Sequence, residues 1–197
     1  MRNCLAVRGI RNQNELAQES SEIADFWSML QGFQTSGKCI EKAHYRIRYM
    51  KSFRPLSVKE DIEFKEARPI LYLNTAAVAS LFNSRNAGST SNRSNWSTIM
   101  SYLKSHASYL GLKQDRFTIL LPSGLPDYTI DIVNGEQVKK VKVNRPKALC
   151  FDYLQLKETF GLDLETEVVA EVQDMQEVLS DKSDSQPSVP VQQDLSF

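Results

Sequence analysis

The chain has 197 residues, 41% of them hydrophobic and 24% charged, which fits one globular domain with or without tails. No apolar run approaches the roughly 20 residues that cross a bilayer, and the N-terminus is a poor signal peptide, so we expect a cytoplasmic protein without a membrane partner. The three cysteines, Cys4, Cys39 and Cys150, are far apart and odd in number, as expected for reduced thiols.

The net charge of zero conceals an uneven distribution of charge along the chain. Residues 1–157 carry 23 Lys and Arg against 14 Asp and Glu, whereas residues 158–197 carry one Lys against ten acids. A basic body favours contact with a polyanion, which an acidic tail would restrain. The alternative is a solubilising tail on a mildly basic domain.

The first half of the body predicts one helix and two strands. Apolar residues of segment 12–36 recur at helical spacing, and Gly37 follows as a natural stop. Segment 43–56 alternates aromatic or branched residues with basic ones, which predicts a strand with one basic face. Residues 57–67 are charged and predict a loop or an irregular hairpin arm, and the apolar run 68–74 predicts a second strand.

Two further helices are predicted next, joined by a polar loop over residues 85–95. The first covers residues 75–84, and the second runs from Ser94 to Leu110 with Gly111 as its C-cap. The apolar arc of the second helix should face the core. This arc contains Trp96, Ile99, Met100, Leu103, Ala107 and Leu110.

The remainder predicts strands, a closing helix and a tail. Asn134-Gly135 is a strong hairpin signal between two alternating runs. The predicted strands cover residues 116–121, 128–133, 138–143 and 148–153, and a helical turn over 154–161 ends at Gly161. Residues 165–180 are acidic and predict at most a weak helix, and residues 181–197 are polar and should be disordered.

This order of elements predicts an α+β fold. We expect an N-terminal amphipathic helix (1–36), a winged-helix-like domain of helix-loop-helix plus β-hairpin and antiparallel strands (37–164), and an acidic, largely disordered tail (165–197). In a winged helix the second helix of the pair is the recognition helix and the hairpin is the wing.

Three features favour contact with nucleic acid, and each has a plain alternative. The polar side of the second helix carries short hydroxyls that suit a phosphate backbone, or it is simply solvated. The basic strand and the lysine-rich hairpin suit phosphate contact, or their charges only protect edge strands from pairing. The residues predicted to bind nucleic acid, with low specificity, are Arg46, Arg48, Lys51, Arg54, Arg93, Asn95, Lys104, Lys139, Lys140, Lys142 and Arg145, and the hairpin run continues to Lys147.

The apolar stripe of the first helix is a candidate docking surface for a protein partner, such as a replicative ATPase. Its residues are Leu16, Ile23, Trp27 and Leu30. If this helix normally packs on a missing domain, the isolated chain should instead associate with itself.

Motifs for catalysis are not found in the sequence, so we expect no enzyme activity and no cofactor. Neither of the glycine motifs that bind phosphate groups, G-x-x-x-x-G-K-[ST] and G-x-G-x-x-G, occurs. The two histidines, His44 and His106, lie far apart in the sequence, whereas a zinc site needs clustered ligands. Asp127, Asp131 and Asp152 would form a metal set only if folding brought them together; otherwise they lie at strand ends or on exposed strand faces.

Several segments together resemble a known family. They are RNQNELAQESSEIADFWSMLQ, HYRIRYMKSF, ARPILYLN, SYLKSHASYLG and KALCFDYLQLKETFGLDLE. In this order they resemble the C-terminal region of primase/helicase-like proteins of Bacteroidetes phages and mobile elements. The resemblance implies a non-catalytic accessory module in DNA replication or mobilisation, because the family's activity lies in upstream domains. It also leaves open a truncated remnant.

Overall fold

The computed structural model describes residues 3–86, 95–133 and 136–164. These residues form an α+β fold with an N-terminal helix and antiparallel sheets, as the sequence predicts. The elements are α1 (Asn3–Thr35), β1 (Tyr45–Phe53), β2 (Ile62–Asn74), α2 (Thr75–Asn86), α3 (Trp96–Ser105), β3 (Tyr109–Gln114), β4 (Phe117–Thr118), β5 (Tyr128–Val133), β6 (Glu136–Val141), β7 (Val143–Asn144), β8 (Lys147–Asp152) and α4 (Tyr153–Phe160). The predicted disordered tail lies outside the described residues.

A four-stranded antiparallel sheet in the order β1-β2-β8-β3 is the centre of the fold. Strand β8 lies between β2 and β3 because its apolar run is buried on both faces. Leu149 pairs with Leu73 of β2 on one side and with Leu112 of β3 on the other. Two further antiparallel pairs, β4–β7 and β5–β6, belong to the long connection between β3 and β8.

The main core lies between the helices and one face of the sheet. Tyr45 and Ile47 alternate with the arginines of β1, so they reach this core while the arginines point to the opposite face. The ring of Trp27 from α1 packs edge-on against Phe151 from β8, with ring centroids 5.3 Å apart. The first helix is therefore an integral part of the domain core.

A second, smaller core lies on the other face of the sheet, around Phe53 and Tyr72. Beyond an irregularity between Met50 and Ser52, the hairpin formed by β1 and β2 curls over this face. The segment after β1 then reaches β3, where the Leu56 N–H donates to the Leu112 carbonyl over 2.8 Å. The two edge strands of the sheet are thereby connected.

The predicted end of the second helix is wrong. Helix α3 ends at Ser105, and His106 already has extended backbone angles. Tyr109 instead pairs with Phe151 as the start of β3, and Gly111 lies in that strand at a register shift, not at a helix cap. Pairing with β8 therefore outweighs the local helical period.

Other boundaries also differ from those predicted. The charged segment 57–67, predicted as a loop or arm, supplies the first residues of β2, and the strand predicted over 116–121 is reduced to β4. The closing helix is confirmed: Asp152 accepts the Leu154 N–H as N-cap, and Gly161 ends α4 in the left-handed region at φ 63°.

Among the described helices, including the 33-residue α1, none is both long and apolar enough to cross a membrane.

Candidate nucleic-acid interface

The base of the connection between β3 and β8 places two arginines opposite each other. Gln114 pairs with Lys147 and Phe117 pairs with Asn144, and both pairs belong to one continuous register. Continued across the unpaired residues between these two ladders, that register would place Arg116 opposite Arg145. Like charges at opposite positions of a ladder cost stability, so an anion would relieve this arrangement.

We call Arg116, Arg145 and Lys147 the basic cluster. All three side chains are exposed. None of the three side chains forms an ion pair within the described part of the chain. The backbone beneath them is held firmly: the Arg116 carbonyl accepts from Arg46 Nη1 over 3.0 Å, and the Lys147 carbonyl accepts from Thr75 Oγ1 over 2.8 Å. The cluster is thus a fixed, uncompensated positive charge.

A cleft of about 390 Å³ is lined in part by Asn144 and Pro146, the two chain neighbours of Arg145. His44 in its wall is 8% exposed, and its Nδ1 accepts the Ile40 N–H over 3.1 Å, so the ring proton is on Nε2. Burial lowers the pKa of His44, which keeps the ring neutral. The remaining lining residues include Asn74, Ala76, Ala77, Ser80, Asn144 and Pro146.

The predicted basic face of β1 is largely used inside the molecule. Arg48 Nη2 lies 2.9 Å from Asp115 Oδ1, and Arg54 pairs with Asp61. Arg46 donates to the backbone beneath the basic cluster. Lys51 is exposed and forms no ion pair with any residue that the structure describes. The arginines of this strand therefore connect parts of the fold.

The predicted lysines of the hairpin are also mostly compensated. Lys140 Nζ lies 2.9 Å from Asp131, and Lys142 Nζ lies 2.8 Å from Asp127. The Lys139 ammonium lies over the Tyr128 ring, 4.4 Å from its centroid. From the predicted set in this region, the structure brings only Arg145 into the basic cluster.

The polar side of α3 offers fewer free groups than the sequence indicated. The Asn95 Oδ1 accepts from the Thr98 N–H and from the Ser97 and Thr98 hydroxyls, so this side chain serves as the N-cap. Lys104 is exposed near the other end of the helix. Arg93 lies outside the described residues.

The predicted partner-binding stripe is mostly buried in the chain's own core. Ile23, Trp27 and Leu30 pack there, whereas Leu16 is 65% exposed. Docking through the first three would require α1 to leave the sheet.

The three candidate aspartates do not meet in space. Asp152 caps α4 and pairs with Arg68 over 2.7 Å, whereas Asp127 and Asp131 pair with lysines of the hairpin. They lie at strand ends and on an exposed strand, as the alternative interpretation held. Cys39 and Cys150 are buried free thiols, and burial raises the pKa of Cys39 to about 12.

Arg116 was not predicted as a site residue. Its position near Arg145 depends on strand pairing between segments far apart in the chain, and no local sequence pattern indicates it. Arg116 follows Gln114 by two residues and Arg145 precedes Lys147 by two residues, but this relation has meaning only once the pairing of Gln114 with Lys147 is known.

No family model, curated protein or solved structure matches the chain.

Proposed function

We propose that this chain is a non-catalytic accessory module that contacts nucleic acid through the basic cluster. One observation supports this most strongly: Arg116, Arg145 and Lys147 are exposed, lie where the β3–β8 and β4–β7 ladders adjoin, and have no ion-pair partner among the described residues. A phosphate backbone is the natural counterion for such a surface, because cations that neutralise phosphates release bound counterions. Binding of this kind is sensitive to salt and largely independent of sequence.

The connectivity of the fold supports a winged-helix-like interpretation. The elements α1, β2, α2, α3, β3 and β8 occur in this order, with β1 inserted after α1 and β4–β7 inserted after β3, and β8 lies between β2 and β3 in the sheet. A winged helix has the same succession of three helices and three strands. In this proposal β3 and β8 form the wing, the basic cluster lies where β3 ends and β8 begins, and β1 is an added edge strand.

The cleft beside the cluster adds to the proposal. The Nε2–H of neutral His44, in the wall of this cleft, is a donor that suits a sugar or base edge better than a phosphate. The neutral ring would add hydrogen bonding without adding to the salt dependence.

The wider role in replication or mobilisation of a genetic element rests on the resemblance of the sequence segments. A replicative ATPase or primase as partner belongs to the same proposal, and so does the expectation that the chain itself carries no enzyme activity.

Fluorescence anisotropy with labelled single- and double-stranded DNA and RNA tests the proposal. The test variant combines Arg116→Gln, Arg145→Gln and Lys147→Gln. The matched control combines Lys51→Gln, Lys59→Gln and Lys65→Gln, which removes three exposed, unpaired cations from the curled hairpin. We expect the test variant to bind at least about tenfold more weakly at low salt and the control to bind like the wild type. Equal weakening of both variants would contradict the assigned site.

A further inference from the structure

The hairpin formed by β5 and β6, hereafter the arm, is exposed at every residue of its two strands. Ile130 and Ile132 are 68% and 77% exposed. A two-stranded hairpin is marginally stable by itself in water, so an exposed apolar arm indicates a missing partner.

One face of the arm carries most of the large apolar side chains of β5. Cross-strand pairs share a face, and the pairs Tyr128–Val141, Ile130–Lys139 and Ile132–Gln137 lie on this face. The Lys139 ammonium is already placed over the Tyr128 ring. This face therefore offers three large side chains of β5 in a row.

The outer edge of β5 is open for backbone pairing. The Lys142 N–H donates to the Asp127 carbonyl over 2.8 Å, so the carbonyl of Asp127 points toward the β6 side of the hairpin. Backbone groups alternate in direction along a strand, so those of Tyr128, Ile130 and Ile132 point to the opposite, outer edge. Among the described residues, no backbone hydrogen bond occupies that edge.

The charges of the arm argue against a polyanion as its occupant. Asp127, Asp131 and Glu136 balance Lys139, Lys140 and Lys142, so residues 127–142 carry no net charge. Along β5 itself, Asp131 is the only charged residue, and it pairs with Lys140. The lysines lie on β6, on the side away from the open edge. A neutral, self-complementary edge suits a second copy of the same strand.

We propose that the open edge of β5 pairs with β5 of a second copy of this chain in an antiparallel manner. A twofold axis at Ile130 brings Ile130 of one copy opposite Ile130 of the other, and Tyr128 opposite Ile132. This register uses every outward N–H and C=O of these three residues and continues the apolar face across the junction. It also keeps the lysines of β6 at the two outer edges of the four-stranded sheet, where they do not repel each other.

Analytical ultracentrifugation over a micromolar to millimolar concentration series tests the dimer. Ile130→Pro deletes an outward N–H and leaves the pairing with β6 intact, because Pro is tolerated where the N–H of an edge strand faces solvent. Lys139→Pro is the matched control: it makes the same change directly across the hairpin, at the other edge. We expect the wild type and Lys139→Pro to dimerise alike and Ile130→Pro to dimerise at least about tenfold more weakly.

Cysteine crosslinking tests the register independently of proline's effect on folding. In the proposed dimer the two Ile130 Cα atoms lie about 5.5 Å apart, within disulfide range. The two Ile132 Cα atoms lie four residues out of register, roughly 13 Å apart. In a Cys4→Ser background, with Cys39 and Cys150 buried, Ile130→Cys should form a dimeric disulfide on oxidation and Ile132→Cys should not.

A wild-type chain that stays monomeric throughout the series would overturn the proposal and assign the open edge to a different protein. Equal weakening by both proline variants, or equal crosslinking at both positions, would overturn the register. These results do not depend on nucleic-acid binding.

Discussion

Arg48 and Asp115 form an ion pair, with 2.9 Å between Nη2 and Oδ1, that connects the two edges of the central sheet. Arg48 belongs to edge strand β1, and Asp115 directly follows edge strand β3. Arg48 Nε and Asp115 Oδ2 are buried without a partner in the described structure, so a single contact carries the pair. Loss of the buried carboxylate would leave the guanidinium uncompensated.

We expect Asp115→Asn to lower the free energy of unfolding by about 1–2 kcal/mol, measured by urea denaturation. A double-mutant cycle with Arg48→Gln should show a coupling between the two positions. Additive effects of the two substitutions would mean that the pair does not stabilise the closed sheet.

Gly111 and Pro55 make the second connection between the sheet edges. Gly111 has φ +131°, and a Cβ there would lie 2.7 Å from the Pro55 Cβ. We expect Gly111→Ala to cost about 2 kcal/mol or more in urea denaturation, through both strain and collision. The control is Gly32→Ala in α1, where no atom lies within 4 Å, and it should raise stability by roughly 0.5–1 kcal/mol. A tolerated Gly111→Ala would show that the loop around Pro55 is free to move.

Substitutions of Trp27 and Leu16 distinguish two roles for α1, packing in the core and docking to a partner. Trp27 is buried among Phe26, Phe151 and Phe160, whereas Leu16 is exposed. Trp27→Ala should lower the free energy of unfolding by about 3–5 kcal/mol, and Leu16→Ala should change it by less than about 0.5 kcal/mol. A small effect of Trp27→Ala would favour a helix that readily leaves the sheet to meet a partner.

His44 should make stability depend on pH below neutrality. Burial lowers its pKa in the folded state relative to the unfolded value of 6.5. Above that value both states are neutral and His44 contributes no pH dependence; below it the unfolded state binds the proton first, so stability falls as pH decreases. We expect the free-energy difference between wild type and His44→Asn to shift against the wild type from about pH 7 to about pH 5. The variant keeps an acceptor near the position of Nδ1, and a difference that does not vary with pH would contradict this role.

Local patterns predicted the elements whose stability is local. The alternation of Tyr45 and Ile47 with arginines identified β1, and Gly161 was correctly predicted as the end of α4. The apolar side of α3 was also correct for Ile99 and Leu103, which are buried. These features depend on side-chain period and capping, which the sequence states directly.

Features that depend on distant pairing were not predictable in this way. Tyr109 continues a helical period in the sequence, yet it becomes a strand residue because Phe151 is available opposite it. The ion pairs of Arg48, Lys140 and Lys142 likewise needed positions of carboxylates that only the folded chain provides. Because these ion pairs compensate most of the predicted cations, the candidate site is a small cluster, and it includes Arg116, which was not predicted.

The salt dependence of nucleic-acid binding tests the central proposal most directly. The slope of log Kobs against log salt concentration should be about 2.7 units less steep for the Arg116→Gln, Arg145→Gln, Lys147→Gln variant than for the wild type on duplex DNA, since each phosphate contact contributes roughly 0.9. The Lys51→Gln, Lys59→Gln, Lys65→Gln control should keep the wild-type slope. Identical slopes for all three proteins, or no binding by the wild type at low salt, would contradict a nucleic-acid interface at the basic cluster.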